Sequence, residues 1–292
     1  MTENIKRKNG NMNKQIKLLV VFFLLLGLGF KCFSANAEQE GANKSNAKDF
    51  FQKGMAAHSA KEYVEAVKWF RLAAKHGDVN AQYNLGYMYK NGQGVTKDCQ
   101  EAFKWIKLAA KQGNAISQNI LGIMYEAGCG VKHDYWEAGK WYRLAAAQDL
   151  ADAQYNLGRM YGKGLGVKED FQEAVKWYRL AAEHGNAKAQ YNLGVMYRDG
   201  QGIKRDYNAA VKWFRLAAAQ ELADAQYNLA VIYRRGLGVK QDYQEALKWY
   251  RLAAEQNDVS AQFDLGVMHY KGHGVKQDYQ EALKWYRLAA EQ

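Results

Sequence analysis

Proline is missing from all 292 residues. Proline-rich spacers and polyproline ligands are thereby excluded, as is a string of domains joined by stiff proline-containing linkers. Cysteine occurs only at Cys32, Cys99 and Cys129, too sparsely for a disulfide-built scaffold or a cysteine-rich zinc site. Continuous apolar sequence is also scarce. The run from Leu18 to Phe30 falls short of the ~20 residues that span a bilayer as a helix. Lys6, Arg7, Lys8, Lys14 and Lys17 precede it, and Ala35-Asn36-Ala37 follows. A basic stretch, a short apolar run and small residues where a signal peptidase reads have the form of a secretory signal peptide over residues 1–37, with 38–46 as a linker. An uncleaved anchor is the alternative, and without it no stable membrane insertion is expected. Nor does one sign of charge dominate: 41 Lys and Arg oppose 30 Asp and Glu. The first 37 residues hold six of the former and one of the latter, which leaves 35 against 29, or +6. A mildly basic exported chain needs no nucleic acid to account for its charge.

What the chain has in abundance is repetition. A tryptophan returns every 36 residues, at Trp69, Trp105, Trp141, Trp177, Trp213, Trp249 and Trp285, and a leucine keeps the same step from Leu85 to Leu265. A fixed period of this size marks a stack of one supersecondary unit. Within the unit Val79–Asn114, Asp78 is placed to cap a helix through Ala81, Leu85 and Tyr89, and Gly92-Gln93-Gly94 to stop it. Asp98 and Glu101 read as a capping box for a second helix through Ala102, Trp105, Ile106 and Ala109. The box recurs at Asp134/Glu137, Asp170/Glu173, Asp242/Glu245 and Asp278/Glu281, while Asp206 is followed by Ala209. The fold expected is all-α.

The strings Ala153-Gln-Tyr-Asn-Leu-Gly158, Gly164-Leu-Gly-Val167 and Glu173-Ala-Val-Lys-Trp-Tyr-Arg-Leu-Ala-Ala182 resemble Sel-one-like repeats, relatives of the tetratricopeptide repeat. The resemblance covers residues 47–292. It implies a right-handed α/α solenoid of seven helix-turn-helix repeats: one tetratricopeptide-length unit, in which Gly54, Ala66, Phe70 and Ala73 carry the spacing, and six 36-residue Sel-one-like units. It also implies adaptor roles, including envelope maintenance and host interaction, rather than catalysis.

The chemistry-bearing patterns are few. The Gly-x-Gly loops lack the preceding strand of a phosphate-binding fingerprint and suit a helix-ending turn. His269 and His273 stand four apart, but His269 fills a slot otherwise held by tyrosine and no third metal ligand is evident. Ser45-Asn-Ala-Lys48 spells a penicillin-reactive Ser-x-x-Lys without its partner motifs. A peptidoglycan-associated enzyme, or a regulator of one, is the competing class, and it lacks a placeable acid and nucleophile. No cofactor is expected. Cys99 and Cys129 fit either an inter-repeat disulfide in an oxidising compartment or two isolated substitutions.

In the tetratricopeptide fold the first helix of each pair lines the concave face. The resemblance therefore points to Asn84, Asn156, Asn192 and Asn228, a row continued by Asp264 and broken by Ile120. Such amides can hold the backbone of an extended peptide, and an inter-helix hydrogen bond copied with the repeat is the alternative. Positions that differ between repeats are candidates for specificity: Tyr87, Ile123, Arg159, Val195 and Val231, then Lys90, Glu126, Lys163, Arg198, Arg234 and Arg235, with Lys188 nearby. Their arginine content suggests a protein or peptide partner bearing acidic residues. The recurring glutamines from Gln82 to Gln262 read as structural. Finally, residues 274–292 repeat residues 238–256 without a change, so the last helix carries an interior apolar stripe and self-association through it is expected. Intact-mass measurement of the protein recovered after export should give a chain beginning at Glu38; a mass that retains Leu18–Phe30 would support the anchor instead.

Overall fold

The computed structural model describes residues 46–292; the signal-peptide reading and nearly all of the linker lie outside them. Among the described residues there are fourteen α-helices and no strand. Residues 46–59 form α1, followed by α2 (Tyr63–Lys75), α3 (Val79–Asn91), α4 (Cys99–Lys111), α5 (Ala115–Ala127), α6 (Tyr135–Ala146) and α7 (Ala151–Lys163). Then come α8 (Phe171–Glu183), α9 (Ala187–Asp199), α10 (Tyr207–Ala218), α11 (Ala223–Arg235), α12 (Tyr243–Glu255), α13 (Val259–Lys271) and α14 (Tyr279–Ala290). Odd-numbered helices are the first of each pair and even-numbered ones the second. The chain divides into two compact units, residues up to Trp105 and Ile106–Gln292. None of the described helices is long and apolar enough to cross a membrane.

The starts and stops follow from short-range chemistry. The carboxylates of Asp98, Asp134, Asp170, Asp206, Asp242 and Asp278 each accept from the backbone amide three residues on, at about 3.0 Å, satisfying one of the amides a helix start leaves free. The return half of the expected capping box is absent from these bonds. Each aspartate's own N–H instead donates to a carbonyl at the end of the preceding helix, as Asp134 does to Tyr125 and Asp170 to Tyr161 (2.9 Å each). That bond closes the intervening loop, and the box glutamates are freed for other work. Glu101 and Glu245 accept from the indoles of Trp105 and Trp249, and Glu101, Glu137, Glu173, Glu245 and Glu281 pair with the lysines three residues on. In the first unit, residues 60–62 replace the whole glycine loop.

Two close approaches set the packing. The first lies within each pair: a Cβ placed on Gly158 would meet the Tyr178 ring at 2.6 Å, on Gly194 the Phe214 ring at 2.8 Å, and on Gly54 the Phe70 ring at 2.6 Å. The second helix thus lays an aromatic ring on a bare turn of the first. The equivalent position in α11 is Ala230, fully buried against a fully buried Tyr250, so one methyl can be accommodated when the ring shifts. The second approach joins successive pairs. Gly166 and Gly274 take positive φ, and a Cβ there would meet Tyr135 at 2.7 Å and Tyr243 at 2.6 Å. These loops therefore rest on the start of the second helix of the preceding pair, which explains their glycines without a phosphate. Val167, Ile203, Val239 and Val275 plug these loops into the adjoining cores.

Buried leucines and alanines fill the interior, while most of the periodic tryptophans are only half-buried. The glutamines are indeed structural. Gln118, Gln190, Gln226 and Gln262 each donate to an alanine carbonyl of the preceding helix at 3.1–3.4 Å. The same four accept from Gln148, Gln220, Gln256 and Gln292 at 2.9–3.3 Å. A buried amide left unpaired would cost roughly 1–3 kcal/mol, and where the partner glutamine is replaced, His184 meets the Gln154 side-chain oxygen at 3.0 Å instead. The duplicated carboxyl-terminal segment shows what stacking adds. Leu247 of α12 is 8% exposed, but Leu283 of α14, at the same place in an identical sequence, is 43% exposed. Among the described residues no further pair covers α14.

Replacing Gly194 by valine should destabilise the protein by about 1–3 kcal/mol through overpacking against Phe214, read from a denaturant melt. Unchanged stability would mean the ring does not fix the helix spacing.

Candidate partner-binding site

Residues three or four apart on a helix return to one face, and within Ile106–Gln292 the first helices α5, α7 and α9 line one cavity. The residues expected to bind a partner are not alike in their surroundings. Arg159 on α7 forms an ion pair with Glu126 on α5, which also accepts from the Tyr142 hydroxyl at 2.9 Å. Burial alone would lower the Arg159 guanidinium, yet the Glu126 carboxylate outweighs it and holds it above its usual value. Burial, reinforced by Glu126, pushes the Tyr142 hydroxyl far above the ordinary phenol range. Arg198 on α9 chelates Asp199 with two bonds of 2.7 Å and donates to the Asn228 side-chain oxygen. That contact holds Asp199 below the usual carboxylate range. Arg234 on α11 pairs with Asp264 at 3.2 Å, lies over the Tyr250 ring, and shares Asp264 with the Tyr227 hydroxyl.

Three of the four candidate arginines are therefore neutralised by carboxylates of the same chain. Arg235, Lys163 and Lys188 are exposed and take no ion pair or hydrogen bond among the described residues. Tyr87 is 41% exposed, tilted against Tyr83.

The asparagine row also divides. Asn84 turns back to its own helix, donating to the Asn80 carbonyl at 2.8 Å. Asn156 donates to Asn119 across the junction of two pairs at 3.0 Å. Asn228 accepts from Arg198 and donates to the Asp224 carbonyl. Burial and then Asp224 raise the neighbouring Tyr191 hydroxyl, while Arg198 and Asn228 act the other way. Among the described residues, Asn192 alone in this row has no hydrogen bond. Glu126 and Asp264, singled out in the sequence as variable positions, serve as internal counter-ions. Asn119 and Tyr155, walls of a cavity, carry no charge that would have singled them out.

An open cavity of about 410 Å³ crosses α5, α7 and α9, lined by Asn119, Ile123, Tyr155, Asn156 and Lys188 among others. A larger one, about 750 Å³, lies where Phe263, Tyr286 and Ala289 meet Arg234 and Asp264.

The remaining candidates sit elsewhere. Cys99 and Cys129 are each disulfide-bonded. His269 is buried with neither ring nitrogen hydrogen-bonded, and His273 stacks on Tyr243 at 4.6 Å. Ser45 lies outside the described residues, and Lys48 is exposed on α1. On the second helices, arginines reach tyrosine hydroxyls eighteen residues on, as Arg179 does to Tyr197 at 3.0 Å; this face is occupied with holding the stack.

Paired helices locked in tandem, with a polar face of variable charge, define an α/α repeat protein of the kind that binds other proteins. The sequence model of the Sel1 repeat matches residues 43–78, 79–114, 115–150, 151–186, 187–222, 223–258 and 259–292, the short first unit included. The chain belongs to the Sel1 repeat family. It is similar to the solved structure of a protective antigen present in uropathogenic Escherichia coli strains displaying an SLR fold, with 38% identity, a TM-score of 0.81, and coverage of 87% of this chain and 56% of that one. The chain thus spans little more than half of that protein. A Sel1 repeat protein from Oxalobacter formigenes is 40% identical with a TM-score of 0.75, over 82% of this chain and 99% of its own. Comparison with curated proteins gives no match. Sel1 repeat proteins are generally non-catalytic scaffolds that bind proteins.

Glu126→Ala should cost about 1–3 kcal/mol, because it strands the Arg159 guanidinium and the Tyr142 hydroxyl without their shared acceptor. Chemical denaturation reads the loss, and a neutral result would make the pair dispensable.

Proposed function

We propose that this chain is an exported, non-catalytic scaffold whose first-helix face binds an extended segment of a partner protein, acting in the bacterial envelope or at its surface. The observation that carries this reading is the open cavity across α5, α7 and α9. A groove crossing three successive repeats suits an extended chain better than a compact small molecule, since each repeat contributes one rung of similar chemistry. Export is supported by the amino-terminal pattern of basic residues, apolar run and small residues, and by disulfide-bonded Cys99 and Cys129, a state that suits an oxidising compartment. Similarity to a protective antigen agrees with a surface or extracellular setting.

Affinity capture from envelope extract tests the proposal. Wild-type protein and a Lys212→Glu control, altered on an exposed second-helix position, should retain the same defined partner. Ile123→Asp/Arg235→Glu should lose at least tenfold of it. Equal capture by all three would contradict a binding site on the first-helix face.

A further inference from the structure

The repeat provides its own reference for reading the junction between α7 and α9. At the next junction, between α9 and α11, the Tyr191 hydroxyl lies beside Asn228 and in the field of Asp224, Arg198 and Asp199. Arg198 fills that place, bound to Asp199 and Asn228. The place is already taken by a guanidinium held by one carboxylate and one amide of the same chain. At the following junction Arg234 does the same against Asp264.

Moving back by one period of 36 residues, every participant has an equivalent. Tyr191 becomes Tyr155, Asn228 becomes Asn192, Arg198 becomes Gly162, Asp199 becomes Lys163 and Asp224 becomes Lys188. The plug is gone and both carboxylates have become ammonium groups. Its absence leaves the groups it would have met open. Tyr155 and Lys188 line the 410 Å³ cavity, and Lys188 and Asn192 stand four apart on one face of α9. Neither the Tyr155 hydroxyl nor the Asn192 amide has a hydrogen bond among the described residues. Lys163 and Lys188 are exposed, with no counter-ion there. Of the other charges at this junction, Arg159 is paired with Glu126, while Asp152 at the cavity wall accepts from the neutral Asn186 amide at 2.8 Å and keeps its charge, leaving the two ammonium groups against one carboxylate. A Cβ on Gly162 would meet Ala174 at 3.6 Å, an ordinary contact, so a side chain can begin there without a clash.

We propose that the α7–α9 junction is a seat for a carboxylate side chain of an acidic partner segment, received by Lys163, Lys188, the Asn192 amide and the Tyr155 hydroxyl. The inference deepens the scaffold reading and rests on it. Lysines supply charge, the amide and the phenol supply directed donors, and charge-assisted bonds of this type are about twice as strong as neutral ones. The neighbouring junctions cannot compete for the same group, because their arginines are held by their own carboxylates.

Titration of the isotope-labelled full chain, followed by NMR, tests the seat with four blocked tetrapeptides: Gly-Glu-Glu-Gly, Gly-Gln-Gln-Gly, Gly-phosphoserine-phosphoserine-Gly and Gly-Arg-Arg-Gly. The glutamate peptide should shift the Asn192 side-chain amide and the Tyr155 and Lys188 backbone signals, at least tenfold more tightly than the glutamine peptide. Lys163→Asp/Lys188→Asp should abolish that response and gain one to the arginine peptide. Adding Gly162→Arg to this variant should then remove the arginine response by restoring the internal plug. Equal responses to glutamate and glutamine, or none, would overturn the proposal, and a tighter response to phosphoserine would overturn the assignment to carboxylate. If a natural partner binds the charge-swapped variant as well as wild type, the seat fails while the scaffold reading stands. A glutamate response in a protein that captures no partner would uphold the carboxylate seat and overturn the scaffold reading.

Discussion

An aromatic ring resting on a turn of helix that has no side chain sets the distance between the two helices of nearly every pair. Gly54, Gly122, Gly158, Gly194 and Gly266 provide the bare turn, and Phe70, Tyr142, Tyr178, Phe214 and Tyr286 the ring. Because the spacing is the same each time, the loop glycines of one pair meet the second helix of the pair before, and the glutamine amides line up with carbonyls across the boundary. Changing the helix separation at one junction would misalign both. Repeat proteins concentrate their stability in such nearest-neighbour interfaces, which is why invariant positions here belong to packing and variable ones are free for recognition.

The fold was legible because each of its determinants is a short-range pattern repeated six times. Aspartates just before the first core contact, glycines past the helix ends and apolar residues at helical spacing all became what they suggest. The capping box is instructive in failing by half. A sequence pattern shows which groups could bond, but not that the aspartate N–H is closer to the preceding helix's carbonyl than to the glutamate. The tryptophans mislead in a similar way: the most visible period marks half-buried boundary residues, while quieter alanines and leucines make the core.

The candidate site was less legible, for an electrostatic reason. An arginine-rich face reads as attractive to acidic partners, yet Arg159, Arg198 and Arg234 are held by Glu126, Asp199 and Asp264. These pairs span neighbouring helices or adjoin the arginine in sequence, so composition counts both charges and cannot cancel them. What remains uncompensated is a small part of the surface, around Lys163 and Lys188 and at Arg235. The carboxylate seat proposed for the α7–α9 junction would make partner recognition depend less on how many basic residues face outward than on which junction lacks its internal acid. Gly162 marks the difference in sequence, standing where the following repeats carry Arg198 and Arg234.

Hydrogen exchange of the protein alone and bound to its captured partner addresses the central claim most directly. Slowed exchange on binding, concentrated in α5, α7 and α9 with the second helices α6, α8 and α10 unchanged, is the result this account predicts. Protection that falls on the second helices instead, or on α14 alone, would contradict it.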